Sequence, residues 1–163
     1  MMTQPEVWLR GPLENISPTL MPVAHALLQA SEDLEIARGL TQEQLWKKSG
    51  QAASVGFHLR HIVGSIDRLL SYADGQQLSP EQMLFLQQEN HAGASVQELL
   101  EQAQAAISRA IKVLQATEDA NLFEARSVGR QQLPSTVIGL LYHIGEHTSR
   151  HAGQIITTVK SLS

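Results

Sequence analysis

The chain contains no cysteine. Disulfides, thiolate metal sites and a cysteine nucleophile are thereby excluded, and any transition-metal site must draw on His, Asp or Glu. Aromatic residues are scarce, at 4%, and Val, Ile, Tyr and Phe form no alternating runs, so the usual signature of a half-buried sheet is missing. No basic run occurs, and the net charge is -4 with histidines neutral. That mild acidity argues against a nucleic-acid binder, which needs a basic face. No apolar stretch approaches membrane-spanning length. The opening residues, MMTQPEVWLR, lack the basic start and apolar run of a secretory signal. The expectation is a soluble, cytoplasmic protein with neither nucleic acid nor membrane as partner.

What the chain does have points to helix. Ala, Leu, Gln and Glu are abundant, and all favour it. Hydrophobic residues make up 42% and charged residues 17% of 163 positions. This is a globular composition at a length suited to one domain over 1–163. Residues 1–17 read as an extended lead-in broken by Pro5, Gly11 and Pro12. A first long helix is expected from about Ser17–Pro18 to Gly39, on the stripe Leu20, Val23, Ala24, Leu27, Leu28, Leu34 and Ala37. A short helical turn follows at Thr41, with Gln44 completing a capping pattern. The second long helix spans Ser54 to Gly75 on Val55, Leu59, Ile62, Val63, Ile66, Leu69 and Leu70. Ser79–Pro80 marks a short connecting helix. The third runs from about Ser95 to beyond Leu114. TEDANLFEARSVGRQQLPS reads as a loop. The fourth is expected from Pro134–Ser135 to about Leu162. Four long amphipathic helices with short connectors imply an all-α four-helix bundle.

The fourth helix carries three histidines at one interval, His143, His147 and His151. At about 100° per residue, His151 lies within roughly 40° of the centre of the apolar stripe, His147 within about 80°, and His143 near 120°. An i, i+4 pair has Cβ atoms about 6 Å apart on one face, so His147 and His151 can converge on one ion. His143 is two turns from His151, about 12 Å along the axis, and cannot readily join them. A third ligand should come from another helix. The second helix offers His58 and His61, both flanking its stripe, and angle alone does not choose between them. Each histidine also has a plainer reading. His25 suits a hydrogen-bonded core position, His91 a solvated loop, and His143 a polar helix edge. Two imidazoles on one buried edge are harder to dismiss, because burying both costs free energy unless each finds a partner.

Two stretches carry a resemblance. SVGFHLRHIVGSIDRLL, residues 54–70, is similar to the first metal motif of the DinB-like superfamily, in which a hydroxyl residue and an aliphatic are followed, after five intervening residues, by a ligand histidine. HTSRHAGQI, residues 147–155, resembles that family's closing motif of two histidines four apart followed by x-Gly-Gln-Ile. The resemblance implies a DinB-like four-helix bundle with up-down-down-up connectivity, and a divalent metal, nickel or zinc, held by His61, His147 and His151 with open positions for water or substrate. It also implies a homodimer. Some relatives are thiol transferases that use bacillithiol or mycothiol, and one is a maleylpyruvate isomerase. The family often has an aromatic where Ala53 stands here, which bears on pocket shape.

Three neutral nitrogens leave a divalent ion its full charge, and such an ion lowers the pKa of a bound water or thiol. Two reactions follow: transfer of a small-molecule thiol to an electrophile, or hydrolysis. Hydrolysis wants a nearby carboxylate base. Glu146 points about 100° away from His147, and Asp67 lies on the far side of the second helix. Their placement favours thiol transfer, or a non-catalytic, stress-related metal-binding bundle. Arg126 and Arg130 are candidates for binding an anionic thiol, and a solvated loop is their plainer reading. Gly153 would permit close helix approach, and Gln154 would orient a ligand or water.

Overall fold

The computed structural model describes residues 4–162. Its helices are α1 (Met21–Asp33), α2 (Gln42–Trp46), α3 (Val55–Ala73), α4 (Pro80–Gln88), α5 (Val96–Ala116) and α6 (Val137–Ser161). The four long ones, α1, α3, α5 and α6, form the bundle, so the fold is all-α. Helix α6 packs against α1 and α3, and α5 packs against the same two helices. His58 and His61 of α3 meet His151 and His147 of α6, so these two helices run antiparallel. Among the described residues no helix is long and apolar enough to cross a membrane.

The expected stripes form the core. Leu27 of α1, Leu59, Ile62 and Ile66 of α3, Leu99 and Leu100 of α5, and Ile155 of α6 are all fully buried. Each such side chain contributes roughly 1.5–3 kcal/mol relative to exposure. Helix starts follow the hydroxyl residues. Ser54 Oγ accepts from Phe57 N at 3.2 Å, and Thr41, Ser79 and Ser95 form capping boxes with Gln44, Gln82 and Glu98. Gly145 lets α1 and α6 approach closely, since a Cβ there would lie 3.1 Å from Val23 Cγ1 and 3.4 Å from the Val23 carbonyl.

Three expectations change. Helix α1 begins at Met21, because Ser17 instead closes a turn by accepting from the Leu20 and Met21 amides. It ends by tightening into a 3-10 segment, Leu34–Gly39. The lead-in folds back on the bundle: Val7 is buried and its N–H donates to Gln29 Oε1 at 3.0 Å. The stretch read as a loop before α6 holds an antiparallel hairpin, β1 (Ala125–Val128) and β2 (Leu133–Thr136), with Val128 opposite Leu133. Pro134 lies on β2 of this two-stranded hairpin, where a missing N–H is tolerated. Helix α6 therefore starts later than expected, at Val137, capped by Thr136.

Candidate metal centre

The first turns of α3 and the middle of α6 bring five imidazoles together. The Ser54 cap sets where α3 begins, and with it the direction of the turn that carries Phe57, His58 and His61. Phe57 lies flat on His61, with ring centroids 5.3 Å apart and planes within 14°. His61 in turn lies 5.0 Å from the His147 ring and 4.6 Å from the His151 ring. One ligand atom from each of His61, His147 and His151 lies within 4.8 Å of the others. The facing nitrogens Nε2 of His61 and Nε2 of His147 are 3.4 Å apart. Two nitrogens on a tetrahedral zinc ion, each about 2.0–2.1 Å from it, are separated by roughly 3.3 Å. That edge of the triangle already has the dimension a metal requires.

The chemistry of the donors fits as well. Burial, ahead of the neighbouring imidazoles, pushes the His147 ring down to about 4 and the His151 ring to about 3. Both are therefore neutral at pH 7, the protonation state in which an imidazole can ligate. His147 Nδ1 is buried and has no hydrogen-bond partner among the described residues. The three half-buried rings can hold a divalent ion.

The choice between His58 and His61, left open by helical angle, is made by the tertiary fold. His61 joins the pair. His58 sits behind it, only 5% exposed, with its Nδ1 at 2.9 Å from His151 Nδ1. One of these two nitrogens donates its proton to the other's lone pair. Burial, then the nearby His61, lowers the His58 pKa to about 4. His143 stays on the polar edge, its Nδ1–H donating to Glu146 Oε1 at 2.6 Å, and Arg150 takes the same carboxylate. His25 is half-buried rather than in the core, bonded to the Gly11 carbonyl, and His91 is exposed.

A family model described as the DinB superfamily matches residues 26–155, a span that includes all three histidines. The chain belongs to the DinB superfamily. No curated protein gives a significant match.

For this DinB-superfamily chain the surroundings of the cluster differ from expectation in three ways. A side chain at Gly153 would meet nothing within 4 Å, so this glycine is not a point of close helix approach. Together with Ala52, Ala53, His58, Arg150 and Gln154 it lines an open hollow of about 460 Å³ on the His58 side of the cluster. Small Ala53 helps keep that hollow open. Arg126 is nowhere near: it donates to the Ala73 carbonyl at 2.7 Å, at the end of α3 about 18 Å along the axis from His61. Arg130 is exposed in the hairpin turn. A larger hollow, about 670 Å³, lies at that same end, and no histidine lines it. Finally, sequence reading overlooked Glu89. It is buried and accepts from His61 Nδ1–H at 2.7 Å. Nothing in its own neighbourhood of sequence marks it, since it comes from the connector after α4 and meets His61 only through folding.

Proposed function

We propose that the chain binds one divalent metal ion, nickel or zinc, through His61, His147 and His151, and that it transfers a small-molecule thiol to an electrophile. The observation that carries this reading is the convergence of three imidazoles from two antiparallel helices, with ligand atoms within 4.8 Å of one another. When bound, the ion would supply the positive charge that favours thiolate over thiol. The protein's own part is to keep His147 and His151 neutral by burial, to stack Phe57 on His61, and to leave a hollow for the substrate beside His58. Thiol transfer is favoured over hydrolysis because the two nearby carboxylates are already engaged. Glu89 is shared between His61 and Arg68, and Glu146 between His143 and Arg150. Neither is free to take a proton from water.

Elemental analysis of untagged protein tests the first half. Stoichiometric nickel or zinc is expected, lost in His61→Ala, His147→Ala and His151→Ala and retained in His143→Ala. Conjugation of monochlorobimane with a panel of thiols tests the second. Metal with conjugation supports a transferase. Metal without turnover on any thiol leaves a metal-binding bundle, and metal-free wild type under zinc excess removes the site.

A further inference from the structure

One face of α3 is neither core nor solvent. His61, Gly64 and Arg68 follow one another at i, i+3 and i+7, so they line up on one side of the helix. Glu89, the residue that caps the C-terminus of α4, is inserted against that side and is 2% exposed. Its two oxygens are divided between two donors. Oε2 accepts from His61 Nδ1–H at 2.7 Å, and Oε1 accepts from Arg68 Nη1 at 2.9 Å. Gly64 makes the room. A Cβ built there would lie 2.5 Å from Glu89 Oε1, 2.6 Å from Arg68 Nη1 and 2.9 Å from the Phe85 ring. A side chain at 64 would crowd the Glu89–Arg68 pair and the Phe85 ring, and the slot could not keep its present packing. The connector is tied down next to it, since Arg60 Nη1 donates to the Gln88 carbonyl at 2.9 Å.

An imidazole has two nitrogens, and the bond made by one decides which of them carries the proton. A carboxylate at Nδ1 accepts and never donates, so it keeps the proton on Nδ1. The lone pair is then on Nε2, the atom that faces His147 at 3.4 Å. Without that acceptor the ring can flip within its plane against Phe57, or place its proton on the nitrogen that faces the cluster.

We propose that Glu89 is a positioning residue of the histidine cluster. Held by Arg68 in a slot that Gly64 opens, it fixes the tautomer and orientation of His61 so that Nε2 is bare and aimed at the pair on α6. Its consequence for affinity rests on the metal-binding reading, whereas the tautomer is a property of the metal-free protein.

The test uses the full chain, stripped with a chelator, as wild type, Glu89→Gln, Glu89→Leu and Gly64→Ala. The Gly64 variant keeps every charge and crowds the Glu89 carboxylate together with Arg68 Nη1 and the Phe85 ring, which covers the case in which Glu89→Leu fails to fold. Nitrogen-15 shifts of the histidine rings are read first, without metal. Wild type is expected to show His61 protonated on Nδ1. Glu89→Leu and Gly64→Ala are expected to move toward the other tautomer, and Glu89→Gln to retain part of the wild-type signature through its amide oxygen. Zinc alone is then titrated into each. The expected loss is about 10–100-fold in affinity for Glu89→Leu and Gly64→Ala, with Glu89→Gln between them and wild type. Unchanged His61 shifts in folded variants that bind zinc as wild type does would overturn the proposal. If wild type binds no zinc but the tautomer responds as described, the positioning role stands and the metal reading falls.

Discussion

At the scale of single residues, the most consequential group is one with no apolar or helical role. Glu89 is a carboxylate with a side chain 3% exposed, and Arg68, 11% exposed, is its counter-ion. A buried charge stripped of its partner is expensive, whereas a pair replaced as a unit is often nearly neutral. Arg68→Met is therefore expected to destabilise the protein by about 3–5 kcal/mol in urea unfolding. The double variant with Glu89→Gln should recover much of that. A loss below about 1 kcal/mol for the single variant would mean that water reaches the carboxylate and takes over Arg68's role.

At the scale of elements, the site depends on where α3 starts and on how α4 docks. Ser54 caps α3 one turn before the first histidine. Ser54→Ala should cost about 1 kcal/mol of stability. It should also weaken zinc binding, because the frayed turn carries Phe57 and His58. Unaltered zinc affinity in a variant that has lost the stability would show that packing, and not the cap, places the turn. Helix α4 buries no side chain of its own, so its docking relies on polar anchors such as Glu89, Arg60 and Gln82. If Glu89 strengthens ion binding, the ion strengthens α4 docking by the same factor, since coupling is reciprocal. Amide exchange in residues 80–89 is then expected to slow when zinc is added, and to be indifferent to zinc in Glu89→Leu.

At the scale of the whole molecule, the histidines make stability depend on pH. In the metal-free protein His58 and His147 titrate near 4 and His151 near 3, all lowered mainly by burial. Unfolded, each returns to about 6.5. Between these values the unfolded chain binds more protons than the folded one, so stability falls as pH falls from about 6.5 toward 4. Well above 6.5, from about pH 7.5, both states are neutral, and these groups add no slope. Urea midpoints of the stripped protein across pH 4–8 should follow that shape. A flat profile would indicate rings that are solvated in the native state. Zinc at 100 times its Kd should add about 2.7 kcal/mol at pH 7, and progressively less at lower pH as protons compete for the same nitrogens.

The bundle could be read from the sequence because its information is periodic and local. Leu59, Ile62 and Ile66 recur at helical spacing, Ser54, Ser79 and Ser95 mark helix starts, and His147 and His151 share a face whatever they pack against. The hairpin was missed because two four-residue strands are too short to show a period, and its pairing of Val128 with Leu133 needs a turn rather than a pattern. Helical angle left His58 and His61 open, the motif resemblance implied His61, and the tertiary structure brings His61 to the pair on α6. Only the tertiary structure placed Arg126 at the opposite end of α3 from the cluster and delivered Glu89 to His61 across 28 positions. Helical angle says which side of a helix a residue occupies. Which neighbour waits on that side, and at what distance, depends on how the helices pack, and one helix's sequence does not contain it.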